Sequence, residues 1–426
     1  MQFHSAPAAR RRGRGALWSS ILLAALVATC VGGNESGRLS AIGTGDVSAP
    51  PLARIAPGDR TAACAGLPAA GLVPGPLSRA PYLQRVTAHD AIVAWTSPGA
   101  ASASVLVETP DGAPVGSFAA VIDTSASLAG GVKQWTAAVT GLAPDTQYCY
   151  SIHQDGAPAT APVPLRSAPA AGAGARVQFL ALGDSGEGGS DQRALLQQIE
   201  TVPFDFMIHA GDIAYDSGTL AEFEGHFFGV YAPLLATQPM FPASGNHDYE
   251  TADAAPFRQV FVLPENGGPD GIERWYSYDW GDVHFVALDT ERTGAAQAAW
   301  LEADLAANKL PWTIVYAHKP PHSSAGRNDG PFQQWFTPVL EAHGVQLVLN
   351  GHDHHYERFK PVNGVTYVIT GGGGRGVREL AGTAPSSAFA EPVIHLVVVS
   401  IEGDTLTLHT IDASGREFDS TVIHRS

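Results

Sequence analysis

Hydrophobic and polar positions change their rhythm along this chain. From about 80 to 167, short runs alternate apolar and polar residues: Ala91-Ile92-Val93-Ala94-Trp95, Ala103 to Val107, Trp135 to Val139 and Tyr148 to Ile152. Pro, Gly and Asp turns separate them, which is the spacing of a small all-β sandwich. After a small-residue linker over 168–175, apolar strands begin to alternate with helical stretches. Val177 to Leu182, Phe204 to Ala210, Pro239 to Ser244, Thr313 to Tyr316 and Val345 to Leu349 read as buried strands. Tyr276 to Tyr278 and Val283 to Leu288 read as a hairpin through Trp280-Gly281-Asp282. Ala298, Leu301 and Leu305 share one helical face. Phe332, Trp335, Phe336, Val339 and Leu340 form another stripe, which Pro338 is expected to kink or split. Strands return from Val365 to His424. The pattern predicts an all-β sandwich followed by an α/β (α+β) domain.

The first residues carry an address rather than a fold. Arg10, Arg11, Arg12 and Arg14 precede an apolar run from Ala16 to Thr29, too short for an ordinary membrane anchor. A cleaved signal is expected; the alternative is a lipid anchor at Cys30, which follows Val27-Ala28-Thr29 much as in a bacterial lipoprotein box. Either way the protein is expected to be exported: periplasmic, attached to the cell envelope, or secreted. The expected layout is a signal over 1–30, a flexible linker over 31–77, the sandwich over 78–167, a linker over 168–175 and the larger domain over 176–426.

Composition narrows the function. A net charge of −16, with only 15% charged residues, argues against a nucleic-acid partner. Export permits a disulfide, and once Cys30 is set aside only Cys64 and Cys149 remain. They are expected to pair and tie the linker to the sandwich; a free Cys64 in a weakly patterned segment is the alternative.

Candidate chemistry collects where strands end. The turns are Gly183-Asp184-Ser185-Gly186, Gly211-Asp212-Ile213-Ala214-Tyr215, Gly245-Asn246-His247, Ala317-His318 and Gly351-His352-Asp353-His354. A lone Gly-Asp is usually an Asx turn or a helix cap. A lone buried histidine is usually structural. Five successive strand ends rich in metal-ligand residue types reverse that reading for the set.

In that order the motifs resemble the purple acid phosphatase branch of the metallophosphoesterases. Gly141-Leu142-Ala143-Pro144-Asp145-Thr146-Gln147-Tyr148 resembles a fibronectin type III signature, and such a domain precedes the catalytic one in that family. The likeness runs from about Ser78 to the end of the chain. It implies a two-sheet sandwich flanked by helices and a binuclear metal centre at the strand ends. Asp212 would bridge the metals, Asp184, Tyr215 and His354 would hold the first, and Asn246, His318 and His352 the second. Gly186 stands where wider relatives have a histidine ligand, and Tyr215 would replace it. That implies Fe(III) with a divalent Zn, Mn or Fe. The implied reaction is hydrolysis of a small phosphate monoester by a metal-bound hydroxide. His247 would protonate the leaving group or hold a phosphoryl oxygen, and His322 would touch substrate. His209 would orient a ligand from behind or serve as a core residue. The alternatives are a phosphodiesterase or nucleotide hydrolase with Mn or Zn, and a non-catalytic surface adhesin.

Overall fold

In a computed structural model the chain is described over residues 49–56, 58–67, 77–123, 128 and 131–425. The signal segment, Cys30 and residues 31–48, 57 and 68–76 of the linker lie outside those residues. Among the described residues no helix is long and apolar enough to cross a membrane.

Eight strands build the first part: β1 (Arg79–Gln84), β2 (Asp90–Pro98), β3 (Ala103–Glu108), β4 (Pro114–Ile122), β5 (Val132–Thr140), β6 (Gln147–Gln154), β7 (Ala157–Pro158) and β8 (Val163–Arg166). They bond in the order β1-β2-β5-β4-β3-β6-β7, with β8 on β6. β4 pairs with β3 up to Ala119 and with β5 from Ala120 to Ile122, so it links the two groups of strands. The period-two pattern sends Val93, Trp95, Val105, Val107, Ala137, Val139, Tyr150 and Ile152 into the core.

The second part holds two sheets. One contains β9 (Val177–Leu182), β10 (Phe206–Ala210) and β11 (Met240–Ala243) in parallel, extended antiparallel from β9 by β19 (His395–Glu402), β20 (Thr405–Asp412) and β21 (Glu417–His424). The other contains β12 (Tyr276–Trp280), β13 (Val283–Leu288), β14 (Trp312–Ala317), β15 (Leu347–Asn350), β16 (Tyr356–Phe359), β17 (Thr366–Thr370) and β18 (Ser387–Glu391), with β13, β14, β15 and β17 parallel. Both faces of the central strands are covered, which is why they read as continuous apolar runs. Phe285, Ile314, Tyr316, Leu347 and Leu349 face the other sheet, where Phe206 meets Phe285 edge-on at 5.2 Å between ring centroids. Val286, Leu288, Val315 and Val348 face outward onto Leu301, Leu305, Phe332, Phe336 and Leu340 of the flanking helices. The stripe around Pro338 does split, into helices Gly330–Trp335 and Thr337–Ala342.

Two segments expected to be slack are docked. Within the linker, Asp59–Cys64 forms a 3-10 turn, Ile55 donates its N–H to the Thr201 carbonyl at 2.8 Å, and the Arg60 guanidinium lies 4.0 Å over the Phe204 ring. Over 168–175, Gly172 and Gly174 both donate to Asp282 of the β12–β13 hairpin. The small residues let the backbone lie close against its neighbours. The sandwich also reaches across directly, through Tyr82 to the Val260 carbonyl at 2.6 Å and Tyr150 to the Ala236 carbonyl at 2.7 Å.

Cys64 and Cys149 are joined across a sequence separation of 85, with Cα atoms 5.8 Å apart. Alkylation of the denatured, unreduced protein should leave both unlabelled. Breaking the bridge with Cys149→Ala should cost about 2–5 kcal/mol, read from denaturant unfolding. Labelling of both cysteines without reductant would refute the pairing.

Candidate metal centre

The carboxyl ends of β9, β10, β11, β14 and β15 converge at one edge, and their turns bond to each other. Gly183 donates its N–H to Thr370 at 2.8 Å, Asp184 to Gly211 at 3.0 Å, and Gly351 to His318 at 2.9 Å. Three residues of this edge that are not glycine hold left-handed backbone: Asp184 (φ 59°), Asp212 (φ 54°) and His352 (φ 67°). Such conformations cost about 1–3 kcal/mol each and gather where geometry serves function. Glycine is needed at 351, where a Cβ would lie 2.6 Å from both the Ala210 carbonyl and Asp184 Oδ2.

Seven side chains meet here in two overlapping groups. The Tyr215 hydroxyl lies 2.9 Å from Asp184 Oδ1, 2.9 Å from Asp212 Oδ2 and 3.3 Å from His354 Nε2. On the other side, His318 Nε2 lies 3.2 Å from Asp212 Oδ2, 3.1 Å from Asn246 Oδ1 and 3.2 Å from His352 Nδ1. Asp212 belongs to both groups. It, His318 and His352 each offer a donor atom within 4.8 Å of the others. His318 Nδ1 is fixed on the Ala210 carbonyl at 2.9 Å, which leaves Nε2 directed at the cluster.

Charge is distributed unusually. Burial pushes the Tyr215 phenol far above its ordinary range, and the Asp184 and Asp212 carboxylates push it further. Burial also works to raise Asp212, yet the charge and hydrogen bond of His318 hold it well below the carboxylate range. For His318 burial opposes a charge, but Asp212 wins and holds its pKa up at about 10. Burial and then the His318 charge press His352 down to about 3. Asp184 and Asp212 are 0% and 1% exposed, and among the described residues no Lys or Arg pairs with either. Buried carboxylates are normally compensated by a cation or a metal. This donor set of carboxylates, phenol, imidazoles and amide fits metal ions.

Gly186 explains how Tyr215 enters. A Cβ there would lie 1.7 Å from the Ile213 carbonyl oxygen, so no side chain can project from this position. The close approach lets the Tyr215 N–H bond the Gly186 carbonyl at 2.6 Å and swings the phenol onto Asp184.

The remaining residues divide. His247 is held by Nδ1 on the Asp216 carbonyl at 2.5 Å, with its ring 4.4 Å from that of Tyr215 and Nε2 4.0 Å from Asp212 Oδ2. It borders the cluster, 31% exposed. His322 does not join it. Its ring packs on Tyr367 at 5.1 Å and Phe359 at 5.8 Å, and its Nε2 is buried without a partner. His322, expected to touch substrate, lies outside the cluster, half-buried where Tyr367 of β17 and Phe359 of β16 hold its ring. His209 is fully buried and bonds Ser185 at 2.8 Å, as a core residue would.

Sequence reasoning overlooked two residues beside the centre. Asp248 is fully buried and takes the Gly245 N–H at 2.8 Å and the Ile213 N–H at 3.1 Å, pinning the Asn246 turn to the Asp212 turn. Its place three residues after Gly245 was the available signal. Arg375 lies 5.1 Å over the Tyr215 ring and pairs with Glu187 at 2.6 Å and Asp216 at 2.8 Å. It directly follows the glycine run from Gly371 to Gly374.

Residues 177–356 match the calcineurin-like phosphoesterase family. The chain is 28% identical over 280 residues to "Probable inactive purple acid phosphatase 1" of Arabidopsis thaliana, covering 52% of this chain and 45% of that one. It is 28% identical over 276 residues to purple acid phosphatase 21 of the same plant, covering 59% and 61%. The chain spans about half the length of the curated relatives it matches first. In fold it is similar to the purple acid phosphatase PPD1 from yellow lupin (Lupinus luteus) seeds, with a TM-score of 0.73 at 23% identity, covering 81% of this chain and 74% of that one. Residues 177–356 therefore form a calcineurin-like phosphoesterase domain, in a chain similar to purple acid phosphatases in sequence and in fold.

Proposed function

We propose that this chain is an exported phosphatase that hydrolyses small phosphate monoesters at a two-metal centre, behind a fibronectin III-like sandwich. The observation that carries the reading is Asp212, one buried carboxylate within reach of both Tyr215 and His318. Asp184, Tyr215 and His354 would hold one metal and Asn246, His318 and His352 the other. Hard anionic donors on the first side suit Fe(III), and imidazole with amide suits divalent Zn, Mn or Fe. When bound, such a pair lowers the pKa of water and polarises the phosphoryl oxygens.

The chain's own residues complete the chemistry. Asp212 keeps the two halves in register, and Asp248 holds the Asn246 turn against it. His247, anchored through Nδ1, presents Nε2 at the rim, where it would protonate the departing alkoxide. The net charge of −16 weighs against a nucleic-acid partner, and the substrate of this reading is a small phosphate ester. Export rests on the basic and apolar N-terminal segment, with release after cleavage or attachment through Cys30.

Metal analysis joined to a substrate panel tests this. Protein loaded with iron should be pink to violet, because a phenol on Fe(III) loses its proton and absorbs in the visible. Tyr215→Phe should remove or strongly shift the colour while the fold persists. An aryl phosphate should be cleaved faster than a bis-aryl phosphate. Faster cleavage of the diester would favour the phosphodiesterase reading. A fully active but colourless protein with Mn or Zn would overturn the iron assignment alone. Metal-loaded protein inert on every ester would leave the adhesin reading.

A further inference from the structure

The loop expected to offer His322 to substrate brings a different residue to the rim. Residues 321–329 are pinned to the Gly351–His354 turn and the strand after it. The Ser323 hydroxyl donates to Asp353 Oδ2, the Ser324 N–H to Glu357 Oε2 at 2.8 Å, and the Ser324 hydroxyl to Glu357 Oε1 at 2.5 Å. The segment after the glycine run is tied to the same place. Ala381 and Ala384 donate to Ser324 at 3.0 and 2.8 Å, and Arg378 donates its N–H to the His354 carbonyl at 2.9 Å. One arginine from each segment therefore stands beside His352. Arg327 Nη1 lies 3.8 Å and Arg378 Nη1 3.9 Å from the same atom, Asp353 Oδ1.

That atom is buried and makes no hydrogen bond. The two guanidinium groups are attracted by one carboxylate, yet both stand beyond hydrogen-bond reach of it. Arg378 also donates to the His352 carbonyl at 3.3 Å. They are 46% and 37% exposed, so donors face solvent beside the cluster. Two cations sharing one anion leave one positive charge in excess. Arg375 contrasts with them, since Glu187 and Asp216 both engage it directly. On a chain of net charge −16, a local cationic pair attracts small anions to the rim.

We propose that Arg327 and Arg378 form a clamp for phosphate oxygens of the substrate. Planar guanidinium groups match phosphate geometry and bind it through charge-assisted hydrogen bonds. The clamp rests on the phosphatase reading for its substrate but not for its anion. The phosphate it holds is either the one being cleaved or a second one on the same molecule.

The test uses metal-loaded full-length protein, Arg327→Ala, Arg378→Ala and the double variant. Kinetics are run with an aryl phosphate and with ATP, and equilibrium binding with inorganic phosphate. The double variant should raise KM about 10–100-fold, with a smaller change in kcat, and weaken phosphate binding by a similar factor. Arg→Lys at both positions should recover part of the loss by restoring charge without the fork. A KM effect shared by both substrates assigns the clamp to the cleaved phosphate; one confined to ATP, with phosphate binding weakened, assigns it to a neighbouring phosphate. Unchanged KM and unchanged phosphate binding in a folded double variant overturn the clamp. If the wild type cleaves no ester, the phosphatase reading falls, and phosphate binding alone decides the clamp in the same way.

Discussion

Asp212→Asn is expected to lower turnover of an aryl phosphate by at least about 10³-fold, with loss of metal from the protein. The expectation follows from where the carboxylate sits. Oδ2 lies 2.9 Å from the Tyr215 hydroxyl and 3.2 Å from His318 Nε2, while Oδ1 accepts the His247 N–H at 2.8 Å. Asparagine keeps the volume and one acceptor, so packing around the turn changes little. It removes the negative charge, and its NH₂ turns a donor toward atoms that need an acceptor. Metal-assisted stabilisation of transition-state charge is worth several kcal/mol, and each 1.36 kcal/mol is a decade in rate, which sets the scale of about 10³. Metal content per chain, kcat and melting temperature should be measured together. An Asn variant with two metals bound and activity within about tenfold of wild type would remove Asp212 from the bridging role.

Much of this site could be read from local sequence because its geometry is locally encoded. Each strand is apolar until it leaves the core and then turns at once, and the turn residues carry the donors. Asp184, Asp212 and His352 need no distant loop to place them; a strand end and a left-handed residue suffice. Gly186 is the informative case. Its missing side chain was legible as a missing ligand, and the structure gives the reason, since the Ile213 carbonyl occupies the space a Cβ would need. The sandwich was legible too, because period-two burial is imposed by the strand itself.

What was not legible depends on contacts between segments far apart in sequence. His322 and Arg327 lie on one loop, and nothing within 321–329 says which of them faces the centre. Tyr367 and Phe359 hold the His322 ring, and Asp353 attracts Arg327. Arg375 is placed by its position over the Tyr215 ring, a contact between segments far apart in sequence. The docked stretch around Cys64 has the composition of a tether. A disulfide and hydrogen bonds to Thr201 hold it where its own propensities would not.

His247→Ala should cost on the order of 10²–10⁴ in kcat for alkyl phosphates, the range for a positioned general acid. The geometry prepares it for that role. With Nδ1 committed to the Asp216 carbonyl at 2.5 Å, the ring has one orientation, tilted against Tyr215 and with Nε2 toward the cluster. The side chain is 31% exposed, so a leaving group can approach it and then depart to solvent. A departing alkoxide is strongly basic and needs a proton as the bond breaks. A nitrophenolate does not, so the same variant should lose much less on an activated aryl ester. That difference separates acid catalysis from phosphate binding, because a histidine that only holds a phosphoryl oxygen would cost both substrates equally. His247→Gln adds a second measurement. The amide can still donate a hydrogen bond to a phosphoryl oxygen but has no proton to transfer. Recovery on the aryl ester without recovery on the alkyl ester is the result expected of a general acid. Equal recovery on both would make His247 a binding residue and leave water to protonate the leaving group.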